Sequence, residues 1–475
     1  MASKARLAKP LVAIALVAMM TCAIFISVFA TTNAQASFAT FEKGDKFALK
    51  GEKDFSLGYY SVNQLFAFGN DETWLRDATV DNASLNGYMS SAMVYEVIDV
   101  TADEYVMKIV TAQNVSMSVQ LLLTGELVDT GSYITDWDEG YSTNPNGLMN
   151  ISEATAHLDT FGFDAKLVAG SNATYIVHMQ KSDMAIKSVD MVSSTYARGH
   201  LSTYNFPNTT TDSDSDNSIE TMNVTSYQSL NGNITMDLEM TGQMTFDPYV
   251  AMVKDAPAEG SNWETETYVN GTFNWTGLLD VTGLPDSVTD EIFTDDAAEH
   301  GITGFPIDLA KYHNSDADLA IDNGTAKIVA EHAHFEFSNL GNEVVNDPVY
   351  GNITIYRMGF NNATKDNYLE AWYYPAKGCL VGIELNYPIQ KIAKLHLDMK
   401  TVATADAEKS ITAISDQVNG KKAYEEVNAV TDVDASSSSN SLSDLLPIIG
   451  LIAVVLVVVV GAAFFLLKRK GKPKA

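Results

Sequence analysis

Cysteine is almost absent from this chain. Of 475 residues only Cys22 and Cys379 are cysteine, and Cys22 lies inside an apolar N-terminal run. With that run removed, Cys379 stands alone and no intrachain disulfide can form. Domains in oxidising compartments commonly use disulfides. Here burial of apolar side chains has to hold the fold, and the absence points to a prokaryotic surface. Positive charge is also scarce. Between Ser37 and Asp444 stand 22 basic and 60 acidic residues, a formal charge of about −38. Such a surface repels nucleic acid and anionic lipid and favours cations, so nucleic acid is excluded as a partner. Catalytic signatures are missing as well. There is no Gly-x-Ser-x-Gly elbow, no phosphate-binding glycine loop and no Cys-x-x-Cys. No enzyme activity and no cofactor is implied.

What is present begins at the ends. Lys4, Arg6 and Lys9 precede an apolar run from Leu11 to Ala30, followed by Ala34-Gln35-Ala36. A basic start, an apolar stretch and a small-x-small motif read as a signal peptide over 1–36. The run is long for a signal peptide, so retention as an N-terminal anchor is the alternative. At the other end Leu445 to Leu467 holds 23 residues without a charge, then Lys468, Arg469, Lys470, Lys472 and Lys474. About 20 apolar residues in a helix cross the hydrocarbon core of a bilayer. The basic tail, 468–475, falls where cytoplasmic residues are expected. The expectation is a single-pass membrane protein with the bulk of the chain extracellular.

The middle reads as mainly β, with antiparallel curved sheets arranged as two half-barrels or sandwiches, and few helices. Met89 to Val100, Tyr105 to Thr111 and Val115 to Leu123 are β-prone segments, the first two separated by the polar turn Thr101–Glu104. Asn231-Gly232 is a strong hairpin signal within 220–246, because both central residues of such a turn need positive φ. Asn270-Gly271 is a further turn signal. Later strands are expected at 325–337, 350–359, 368–374 and 380–387. Helices are expected at 287–299 and 406–419. In the second, Ile411, Ile414 and Val418 share one face and Gly420 suits the C′ position. A faint repeat joins Phe41–Phe47, around Gly44, to Ala258–Trp263, around Gly260. It suggests β-rich domains over 37–245 and 246–405, then a helical segment over 406–434. Residues 435–444 are a Ser-rich linker that reads as a short stalk before the 445–467 span.

Two patterns have metal-ligand chemistry. Asp212, Asp214 and Asp216 alternate as at the start of a calcium loop, where carboxylates converge on a hard cation. The residue at position 12 is Asn223, not the bidentate Glu, so a solvated acidic loop is the plainer reading. His332, His334 and Glu336 fall on one face of a strand and suit a transition metal. With Val329, Ala333, Phe335 and Phe337 opposite, the same pattern describes an ordinary half-buried strand. Asp136 and Asp138 beside Trp137 form an acidic pair of the kind used in glycan hydrolysis. Twelve Asn-x-Ser/Thr sequons mark candidate glycosylation sites: Asn82, Asn114, Asn150, Asn172, Asn208, Asn223, Asn233, Asn270, Asn274, Asn323, Asn352 and Asn362.

The segment from Leu369 to Glu384, LEAWYYPAKGCLVGIE, resembles the strand–turn–strand of lipoprotein-carrier-like half-barrels. That resemblance implies a sheet curved around an apolar groove, and no ligand residues. The acidic charge, the sequons, the lack of disulfides and the C-terminal anchor together resemble archaeal cell-envelope glycoproteins. The expected role is structural or binding, with the membrane, other envelope proteins, lipid or cations as partners. A carrier of lipid or another small apolar ligand is the alternative, and an extracellular hydrolase a second one.

Overall fold

A computed structural model of the chain describes residues 41–57, 75–134, 149–213, 219–229, 231–250, 259–283, 324–364, 367–389 and 393–428. The expected signal peptide, the 287–299 helix, Asp136, Asp138, the linker and the apolar 445–467 run lie outside them. Among the described residues no helix is long and apolar enough to cross a membrane.

Fourteen strands and two helices are described. The strands are β1 (Lys46–Leu57), β2 (Leu75–Val100), β3 (Glu104–Ile134), β4 (Met149–Gln180), β5 (Ile186–Tyr204), β6 (Phe206–Ser213) and β7 (Ile219–Gln228). They continue with β8 (Asn231–Val250), β9 (Asn262–Thr282), β10 (Gly324–Asp347), β11 (Gly351–Thr364), β12 (Asn367–Tyr374), β13 (Cys379–Ile389) and β14 (Ala393–Thr401). The helices are α1 (Thr404–Asn419) and α2 (Tyr424–Asn428).

Twelve of the strands close into one antiparallel barrel in the order β1-β14-β13-β12-β11-β10-β9-β8-β5-β4-β3-β2. The path is an up-and-down meander, interrupted once by the separate β6–β7 hairpin between β5 and β8. Closure removes the edge strands that an open sheet exposes. The sheet is therefore mainly antiparallel β, as expected, but it is one closed barrel rather than two half-barrels or sandwiches. The division expected at 245/246 falls inside β8, and strands from both sides complete the ring. The seam is short: β1 and β14 share only Leu49↔Thr401 and Lys50↔Lys400.

Among the described residues, an apolar cluster inside the barrel has members from all twelve strands, among them Leu49, Tyr95, Ile109, Val177, Met191, Met244, Phe273, Phe337, Ile355, Tyr373, Ile383 and Met399. Fully burying one such side chain stabilises by about 1.5–3 kcal/mol. Three rings lie over a cross-strand glycine: Phe273 over Gly242, Tyr196 over Gly170 and Trp372 over Gly382. Each glycine gives its strand partner the space that a Cβ would take.

Some local expectations hold and others change. The turn between β2 and β3 is where the polar run placed it, with Thr101 Oγ1 accepting the Glu104 N–H at 3.0 Å. β10 to β13 cover the four later strands expected, and β12–β13 is the expected hairpin, turning at Gly378 with φ 63°. Gly44 (φ 98°) and Gly260 (φ 77°) make matching turns before β1 and β9. Each donates its N–H to a strand carbonyl, Val97 and Asn339 respectively. The break expected after Thr111 is absent, because β3 runs through Gln113 and Asn114 without interruption. Asn231-Gly232 is not a hairpin turn: it opens β8 opposite Ser202 and Leu201 of β5. Asn270-Gly271 lies within β9, and the irregularity it signals is in the partner strand. There β10 bulges between Ile328 and Glu331, and Ala330, at φ 48°, donates its N–H to Asn270 Oδ1 at 2.9 Å. α1 forms where Ile411, Ile414 and Val418 predicted it, but Gly420 is right-handed (φ −79°) and Lys421 takes the left-handed position (φ 49°).

Candidate functional site

The described candidate residues lie on the outer walls of the barrel. The first wall is covered by α1. Ile414 and Val418 pack on Ala112, Val168 and Tyr196, and Ala407 packs on Ala48 and Val94. These strand residues alternate with the inward-facing ones, so the helix lies across the outside of β1 to β5. At the centre of the contact is a chain of polar groups. Ser90 Oγ donates to Asn114 Oδ1 at 2.6 Å, and Asn114 Nδ2 donates to Gln417 Oε1 at 2.8 Å. Gln417 Nε2 in turn donates to Tyr196 Oη at 2.7 Å. Buried polar groups are stable only when partnered, and this chain pairs them in series. It explains why Asn114 does not end β3: the helix satisfies it. Burial pushes the Tyr196 phenol up to about 12.

Ion pairs rim the helix. Lys46 meets Glu408 at 3.0 Å, Lys166 meets Glu425 at 3.2 Å, and Lys421 reaches Asp237 at 2.8 Å. Asp237 also takes a two-point contact from Arg198 at 2.9 and 3.2 Å. The hydrogen bond to Glu408 raises the Lys46 pKa. The exposed pairs Lys46–Glu408 and Lys166–Glu425 each contribute about 0–1 kcal/mol, so the apolar face and the polar chain do most to fix the helix.

The second wall is formed by β8 to β11. Asn233, Asn270, Asn274 and Asn352 are exposed on it. His332 and His334 lie on it too, with the carboxylates of Glu264 and Glu266 at 3.7–3.9 Å. Val329, expected on the inner face, is 75% exposed, because the bulge beside it shifts the alternation. Among the described residues, no group of three or more His, Cys, Asp or Glu is placed to hold a metal ion. The side chain of Glu336 and those of Asp212, Asp214 and Asp216 lie outside the described residues. The remaining sequons divide as follows. Asn82 is exposed and donates to Gln120 at 3.1 Å, and Asn172 is half-buried. The side chains of Asn150, Asn208, Asn223, Asn323 and Asn362 lie outside the described residues.

One constellation was not read from the sequence. Glu370, on the outer side of β12, is 1% exposed and accepts from Arg357 Nε, from Arg357 Nη2 at 2.7 Å and from Trp372 Nε1 at 2.8 Å. The register continues the row from Glu370 to Glu384 to Asp398 on three adjacent strands. Like charges opposite one another repel. Arg357 at one end and Lys400, 3.0 Å from Asp398, at the other offset that repulsion. The only sequence signal was the Glu-x-Trp spacing, which is too common to stand out. Inside the barrel, Cys379 is fully buried with its sulfur 4.0 Å from Tyr350 Oη, and burial pushes its thiol up to about 12. A thiol so placed is a small core group, not a nucleophile.

Comparison with family models, curated proteins and solved structures found no match for this chain.

Proposed function

We propose that this chain is a single-pass, membrane-anchored glycoprotein of the cell envelope, with its barrel outside the cell in a structural or binding role. The observation that favours this role is the packed cluster of buried side chains inside the described part of the barrel, which turns attention to the outer walls. Tyr95, Tyr373 and Phe273 are all under 2% exposed there, and a carried lipid would have to displace them. The location rests on the charge-free run 445–467 followed by the basic tail. Protease treatment of intact cells tests the reading. Peptides from 41–428 are expected to be lost while the 468–475 tail is retained. Protection of the barrel sequences in intact cells, with cleavage only after lysis, would sink it. Ordered arrays on isolated envelopes would identify the role as structural.

A further inference from the structure

Sequons are usually treated as equivalent until tested, but the folded chain does not treat them so. A glycan is attached through Nδ2 of asparagine and needs open solvent around that atom in the finished fold, whenever transfer occurs. Asn114-Val115-Ser116 is an intact sequon, yet its Nδ2 is the donor to Gln417 Oε1 and its Oδ1 holds Ser90 Oγ. It lies under α1, beside the contact made by Ile414 and Val418. A sugar at that nitrogen and a docked helix cannot coexist.

The opposite arrangement holds on the β8–β11 wall. Asn270, Thr272, Asn274 and Thr276 alternate with the buried Phe273, so two acceptors and their hydroxyl residues share one outward row. The side-chain carbonyls of three of the exposed amides have partners. Asn270 Oδ1 accepts from Ala330 N at 2.9 Å, and Asn274 Oδ1 accepts from Thr325 Oγ1 at 2.8 Å. Asn233 Oδ1 lies 2.9 Å from His200 Nδ1. An N-linked glycan leaves the carbonyl oxygen as an acceptor, so these three contacts survive modification. Asn352 is exposed beside the β10–β11 turn. β10 and β11 lie halfway around the ring from β2 and β3, away from the helix.

We propose that Asn233, Asn270, Asn274 and Asn352 are glycan acceptors forming one sugar-bearing wall, and that Asn114 is a structural clasp that stays unmodified. This rests on the reading of the chain as an exported glycoprotein. The test is glycopeptide mass spectrometry on the full chain purified from its own membranes. Glycan on the four wall sites with bare Asn114 is the expected result. Glycan on Asn114 overturns the assignment but leaves the glycoprotein reading intact, as does a bare wall with other sequons occupied. A chain bare at every sequon overturns both. A second measurement needs no glycan. In full-length protein made without glycosylation, Asn114→Asp removes the donor to Gln417 and is expected to lower Tm by a few degrees. Asn233→Asp, Asn270→Asp, Asn274→Asp and Asn352→Asp are expected to leave it unchanged. An unchanged Tm for Asn114→Asp overturns the clasp.

Discussion

Thr401, the last residue of β14, donates its hydroxyl hydrogen to Asp347, the last residue of β10, across the three strands that separate them in the ring. The other oxygen of Asp347 accepts the backbone N–H groups of Val349 and Tyr350, both at 2.8 Å. Thr401 is also one of the two β14 residues paired with β1. One buried carboxylate thus ties the β10–β11 turn to the seam that closes the barrel. Asp347→Ala leaves a hydroxyl and two N–H groups without this acceptor. It is expected to cost about 2–4 kcal/mol, read as a lower midpoint in denaturant. Asp347→Asn keeps an acceptor for the turn and is expected to cost less. Equal, negligible losses in both would show that the seam holds without this contact.

The α1 contact predicts a local effect distinct from global unfolding. A Cβ at Gly170 would stand 2.9 Å from Tyr196 Cε1 and 3.0 Å from Val418 Cγ2. Gly170→Val therefore has to push the helix outward, at a cost of about 1–3 kcal/mol. Because the helix lies outside the barrel, amide exchange is expected to speed up across 404–419 while β3 and β4 stay protected. Uniform loss of protection throughout would show that the helix and barrel are one cooperative unit.

Much of this architecture was legible, and the parts that were not share a cause. β-prone runs bounded by polar turns located the second half of β2 and the strands β10 to β13, and the spacing of Ile411, Ile414 and Val418 located α1. These signals are local. Closure is not: the β1–β14 pairing joins residues such as Leu49 and Thr401, whose sequence neighbourhoods say nothing of each other. The same distance hid the polar chain, since Asn114 and Gln417 are 303 residues apart. Asn231-Gly232 misled because a strand can accept those residues when β5 supplies its partner. Asn270-Gly271 was half right. The amide of Asn270 does bind an irregular backbone, but on the neighbouring strand.

Alkaline pH is expected to weaken the fold in a defined window. Burial raises the Cys379 thiol to about 12 from 9.0, and burial is also the main cause that raises Tyr88 and Tyr196 to about 12 from 10.0. Each folded value lies above the unfolded one, so the folded state binds more protons in that interval. The stability these groups contribute is full below about pH 9 and is lost as pH rises toward 12. Midpoints measured from pH 8 to 11.5 are expected to fall, with tyrosinate absorbance rising together with unfolding. Cys379 is expected to resist alkylation at pH 8 until denaturant is added. Rapid labelling of the native thiol would contradict its burial.

The Arg357–Glu370 pair supports a final prediction, because its two halves are unequally buried. Glu370 is 1% exposed and Arg357 is 37% exposed. The two-point contact raises the Arg357 pKa, chiefly through its hydrogen bond to Glu370. Removing Arg357 leaves a buried carboxylate with only the Trp372 indole N–H as a described partner. Removing Glu370 leaves a guanidinium that can turn to water and to Glu343, 3.9 Å away. Arg357→Met is therefore expected to cost about 2–4 kcal/mol, more than Glu370→Gln. The double variant Arg357→Met with Glu370→Leu is expected to recover part of that loss, since no charge then remains buried. A double-mutant cycle in denaturant measures this directly. If Glu370→Gln is the costlier single change, the pair is held by the acceptor geometry of the carboxylate rather than by relief of its burial.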